Sequence, residues 1–155
     1  MVSVSRAIPY QEIVNNLNKE EGVAIISCNA CANYCRTGGR RAMTNMSSDL
    51  EADGFNVVIS KVIPKACILT NFDNVSLPDD VDTVLMMACV SGLRAANRVF
   101  SDKRIISSNE TLGIGYYDSS KRGSVLVSPY SGYQDKVGKV FPNRNNGSSE
   151  GGENE

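Results

Sequence analysis

The sequence predicts an α/β fold: a three-layer sandwich around a short, mostly parallel sheet, followed by an irregular C-terminal extension. Three observations predict it. Four short apolar runs recur before residue 110, and segments with helical apolar spacing lie between them. Regular alternation of this kind implies right-handed βαβ units rather than hairpins. With 155 residues, 41% hydrophobic and 21% charged, the chain suits one globular domain.

Pro9 is placed as a first helical residue, and Tyr10, Ile13, Val14 and Leu17 then repeat at i, i+3, i+4 and i+7. Gly22 ends this helix. Val23 to Ser27 is a run rich in β-branched residues, read as a strand buried on both faces. A cysteine-rich loop follows, then a helix to about Asp53 with Ala42, Met43, Met46 and Leu50 on its inner face and Gly54 as its stop. Phe55 to Ile63 is a second strand, halted by Pro64. Ala66 to Phe72 reads as a short helix and Asn74 to Asp82 as a polar loop, with Asp79, Asp80 and Asp82 in a solvated turn. Thr83 to Ala88 is a third strand, Gly92 to Phe100 a helix and Arg104 to Ser107 a fourth strand. Residues 110 to 142 hold four of the six tyrosines, with Ser124 to Ser128 as a strand of an irregular extension or hairpin. Residues 1–142 thus form a single α/β domain. Asn143 to Glu155 contains no apolar residue and reads as a disordered polar tail.

Charge and composition narrow the function. Sixteen basic against 17 acidic residues give a net charge of −1, without the basic surplus that nucleic acid attracts. There is no histidine, which removes the commonest general base and leaves cysteine as the main soft metal ligand. No run approaches the roughly 20 apolar residues of a membrane helix. Met1 to Tyr10 has one Arg and no apolar core, so no secretory leader is expected. Five cysteines without such a leader suit a reducing compartment, the cytoplasm.

The informative stretch is Cys28-x2-Cys31-x3-Cys35, three thiols directly after the first strand. Small residues around them (Ala30, Ala32, Gly38, Gly39) let the backbone approach a bound group. A [4Fe–4S] cluster and tetrahedral zinc both take four thiolates, so a fourth must come from elsewhere. In a flavodoxin-like strand order 2-1-3-4, the first and third strands meet where ligands of open sheets sit, beyond the carboxyl ends. Cys28 follows the first strand and Cys89 the third, and Gly92 opens a helix whose N–H groups can face sulfur anions. Cys89 is therefore preferred as fourth ligand. Cys67, in its apolar Ala-Cys-Ile-Leu context, is the alternate, or else a buried core thiol. Arg36, Arg40 and Arg41 are expected to lower the thiol pKa values. The spacing is the reverse of the C-x3-C-x2-C loop of radical enzymes and differs from the ferredoxin run. Gly113-x-Gly115 is too short for a dinucleotide fingerprint.

Several pieces together resemble the small zinc/iron–sulfur subunit of methylenetetrahydrofolate reductase. They are Glu12-Ile13-Val14, Val23 to Gly39, Cys67, Ala88-Cys89-Val90-Ser91-Gly92 and Asn109-Glu110-Thr111-Leu112-Gly113. The resemblance spans about residues 8 to 115, and its specific part is the cysteine loop with its two glycines. It implies an iron–sulfur or zinc subunit that joins a flavin-dependent reductase, or another redox protein, and passes electrons toward it in one-carbon metabolism. The second cysteine-rich region usual in that family has no counterpart, since residues 116 to 155 contain no Cys. The expected protein is a non-catalytic electron-transfer subunit with a [4Fe–4S] cluster on Cys28, Cys31, Cys35 and Cys89. A structural zinc adaptor is the alternative, and a thiol–disulfide enzyme using Cys28 and Cys31 a third.

Overall fold

A computed structural model describes residues 1–143; the expected tail falls almost wholly outside the described residues. The strands are β1 (Val2–Ala7), β2 (Gly22–Cys28), β3 (Asn56–Ile63), β4 (Val81–Met87), β5 (Arg104–Ser107), β6 (Asn109–Asp118), β7 (Gly123–Pro129) and β8 (Val140–Phe141). The α-helices are α1 (Tyr10–Asn15), α2 (Cys31–Tyr34), α3 (Gly39–Ala52) and α4 (Val90–Val99). The strands form two four-stranded sheets. One is parallel, in the order β3-β2-β4-β5; the other is antiparallel, in the order β1-β6-β7-β8.

The parallel sheet follows from its apolar runs. Every residue of β2 is buried, as a central parallel strand requires. Alternation then sorts the side chains. Val23, Ile25, Leu85 and Met87 pack with Ile13 of α1 and with Met43 and Leu50 of α3. Ala24, Ile26, Val84 and Met86 face the other way and pack with Ala96 of α4 and with Phe72 and Phe100. Both faces therefore carry helical cover.

Two helices are shorter than their periodicity suggests. α1 stops at Asn15, where the polar Asn15-Asn16-Leu17-Asn18 run begins, and Asn16 Nδ2 donates to the Glu12 carbonyl at 3.0 Å. Leu17 still packs below the sheet from the following turn. Between Pro64 and Phe72 only a 3₁₀ turn forms, at Leu69–Phe72.

The larger correction concerns the second sheet. Of the expected irregular extension or hairpin, the hairpin forms, as β6 and β7 with Ser124 to Ser128 inside β7. The sheet is larger than expected, with β8 beyond the hairpin and β1 completing it from the other end of the chain. The sheet curls, so that β1 also touches β7 and β8. Its inner face holds Val2, Val4, Leu112, Leu126 and Phe141. A single residue, Ser108, separates β5 of one sheet from β6 of the other.

Candidate metal centre

The cysteines lie on the seam between the sheets. β2 ends at Cys28, whose strand partner is Ile63, and Ser27 before it pairs with Met87 of β4. Cys89, two residues beyond Met87, caps the start of α4. Neighbouring strands run about 4.8 Å apart, so Cys28 and Cys89 emerge side by side at the carboxyl edge. The Cys28 thiol lies within electrostatic reach of both Cys89 and Cys31.

Strand alternation and helix periodicity then divide the sulfurs. Cys28 points to the cluster of Ala24, Ile26, Ala66 and Ala88. Cys31 and Cys35, four apart across α2, share a helix face, and that face meets the curled sheet: Cys35 is buried among Val2, Val4, Leu112, Leu126 and Phe141, with Cys31 packed against the same group. A Schellman turn fixes this orientation. Arg36 takes φ +59°, its N–H donates to the Asn33 carbonyl at 3.0 Å, and the Thr37 N–H donates to the Ala32 carbonyl at 2.8 Å.

Two of the three buried sulfurs, those of Cys28 and Cys35, receive a backbone donor. The Ala66 N–H donates to Cys28 Sγ and the Ser5 N–H to Cys35 Sγ, both at 3.4 Å. The Cys35 thiol in turn donates to the Ser3 carbonyl at 3.7 Å. Burial pushes both thiols above the ordinary cysteine pKa, although these N–H groups and the nearby Ser124 hydroxyl pull downward. The lowering expected from Arg36, Arg40 and Arg41 is thus overridden for Cys28 and Cys35. A buried, raised Cys28 is also unlike the exposed, low-pKa thiol that a thiol–disulfide enzyme needs. Cys67 is exposed, not a core thiol, one residue past the Ala66 donor.

The three glycines singled out beside the cysteines face this chain's own atoms. A Cβ on Gly38 would stand 2.6 Å from Ala32 Cβ and 2.8 Å from the Met87 carbonyl oxygen. On Gly92 it would meet Ala66 Cβ at 2.7 Å and Ala88 Cβ at 2.8 Å. Gly39, at φ +86°, abuts the Asn33 side chain. Their smallness closes the loop onto the sheet end.

Polar residues outside the cysteine motif join the cysteine loop to both sheets. Ser5 and Thr37 share a hydroxyl hydrogen bond of 2.9 Å, and Asn109 Nδ2 donates to Thr37 Oγ1 at 3.1 Å. Ser108 donates to Asn109 Oδ1 at 3.0 Å. Thr111 Oγ1 accepts the Val90 N–H at 2.9 Å, capping α4 beside Cys89.

Among the described residues, no three Cys, Asp or Glu side chains stand gathered as a metal site. The donor chemistry nonetheless suits sulfur anions. Besides the two N–H donors, the buried Ser124 hydroxyl lies beside Cys35. No helix among the described residues is long and apolar enough to cross a membrane. No protein-family model, curated protein or solved structure matches this chain.

Proposed function

We propose that this chain is an iron–sulfur accessory subunit that exchanges electrons with a flavin-dependent reductase or similar redox partner. Its nearest functional analogue would be the small subunit of methylenetetrahydrofolate reductase in one-carbon metabolism. The observation that carries the reading is the meeting of Cys28 and Cys89 at the ends of adjacent strands, with Cys31 in reach of Cys28. Strand order β3-β2-β4-β5 and helices on both faces support a flavodoxin-like sandwich, in which that edge is the usual ligand position. Five free thiols suit the cytoplasm.

Cys28, Cys31, Cys35 and Cys89 would hold a [4Fe–4S] cluster, with Cys67 as the alternate fourth ligand. Bound there, the cluster would supply one-electron transfer. The chain's own part is to deliver thiolates, aim the Ala66 and Ser5 N–H groups at sulfur and wall the site with apolar side chains. Because the thiols are not gathered in advance, loading is also a local folding step.

Anaerobic purification with iron, sulfide and zinc analysis tests this. The reading expects about four iron and four inorganic sulfide per chain. Stoichiometric zinc without sulfide would instead establish the structural adaptor, a role compatible with thiols that bridge two hydrophobic clusters.

A further inference from the structure

The cysteine loop is pinned at both ends. At one, the Asn29 N–H donates to the Ile63 carbonyl at 2.9 Å; at the other, Thr37 bonds to Ser5 and Asn109. Between the pins lies α2, a single turn that carries Cys31 and Cys35. A helix this short has no stability of its own, so what its side chains touch holds it in place. Cys31 and Cys35 face the apolar interior of the curled sheet. Tyr34 meets the ring of Tyr117 on β6, with centroids 5.1 Å apart and planes tilted by 47°.

Strand pairing places Tyr117 at the rim of that interior. It stands opposite Ser124, and Ser124 opposite Phe141, and directly opposed residues of antiparallel strands share a face. Two residues earlier on the same face, Gly115 supplies no side chain. Tyr34 and Tyr117 are 48% and 38% exposed, whereas Ser124 is 0% and Cys35 1%. The ring pair thus marks the boundary between solvent and the interior that holds the Cys35 sulfur.

A sulfur this deep meets no metal while the loop lies closed, and among the described residues no three ligand side chains are gathered. Some part of the loop has to lift. We infer that α2 is a flap over Cys35 and that the Tyr34–Tyr117 ring contact is its latch. Lifting the turn parts two half-exposed rings and uncovers Cys35 between two fixed pins. Beyond the area it buries, an aromatic pair favours the closed state by a factor of about two to ten. The inference deepens the proposed function and rests on it for the purpose of the movement, which is to admit metal to Cys31 and Cys35.

Timed iodoacetamide labelling of the reduced, metal-free, full-length chain tests it, at one pH and with each cysteine followed by peptide mass spectrometry. Tyr117→Ala and Tyr34→Ala are each expected to label Cys35 about two- to tenfold faster than the wild type, and either variant suffices alone. Cys28, also buried but in the other cluster, keeps its wild-type rate. Tyr117→Phe, which keeps the ring, stays near the wild type. Deuterium exchange adds a readout that does not involve sulfur. The Tyr34 and Cys35 N–H groups donate to the Ala30 and Cys31 carbonyls, both at 3.1 Å, and exchange faster in the alanine variants. Unchanged Cys35 labelling or unchanged exchange of these amides overturns the latch. Equal acceleration of Cys28 also overturns it, because the whole fold has then loosened. Iron and sulfide analysis is read separately: its failure removes the cluster, and the labelling pattern still decides for or against the flap.

Discussion

Gly38 sits where the cysteine loop closes on the end of the parallel sheet, and it leaves no room for a methyl group. Replacement by Ala would press a Cβ against Ala32, the Met87 carbonyl and the Cys28 carbonyl at 3.0 Å. Overpacking of this kind costs about 1–3 kcal/mol, and urea denaturation of Gly38→Ala should show a loss in that range. At this scale the sequence was only partly legible. The spacing of Cys28, Cys31 and Cys35 was plain, since it is local in the chain. The glycines were read as room for a cofactor, and the space is filled by neighbouring backbone and alanines. Ser5, Thr37 and Ser124 carried no signal. A lone serine has no period, and Ser5 and Thr37 meet from segments 32 residues apart.

Helix α4 and strand β6 show what links the elements. The Thr111 hydroxyl accepts the first N–H of α4, the place a capping side chain within the helix would take. Thr111→Val keeps the shape and removes that acceptor, so thermal unfolding should report a loss of about 1 kcal/mol. A second tie runs from β1 to β6. Arg6 donates to Glu110 at 3.1 and 3.3 Å, and the Tyr133 hydroxyl donates to the same carboxylate. These hydrogen bonds, Tyr133 first and then Arg6, hold the Glu110 pKa below its ordinary value. A carboxyl lowered in the folded state stabilises above its unfolded pKa and loses that contribution as pH falls through the folded one. Acid titration of stability should therefore show a shallower decline below about pH 4.5 for Glu110→Gln than for the wild type. The parallel strands were legible as elements because burial on both faces writes continuous apolar runs. β1 is marked only by the short alternation of Val2-Ser3-Val4-Ser5, too brief to stand apart from a loop. β6 to β8 were blurred by glycines and tyrosines whose register only the partner strands define.

For the molecule as a whole, the two sheets are bound at a seam of small polar side chains rather than by a shared apolar core. Ser5, Thr37, Ser108 and Asn109 form that seam, and the cysteine loop crosses it. Tyr116, Tyr117, Tyr130 and Tyr133 lie in or beside the antiparallel sheet, whereas α1, α3 and α4 cover the parallel one. Near-ultraviolet tyrosine signals thus weigh toward the antiparallel sheet, with four of the six tyrosines, and far-ultraviolet helix signals toward the parallel one. We expect the two to unfold at the same urea midpoint, and separated transitions would show that the seam does not couple the sheets. With Ser108 alone between β5 and β6, the polypeptide runs from Arg104 to Asp118 with no slack at the crossing. A load on either sheet reaches the other along that backbone as well as across the polar seam. Any partner gripping the tyrosine-bearing side would therefore tug, through one peptide unit, on β5, the strand paired with the β4 that leads to Cys89.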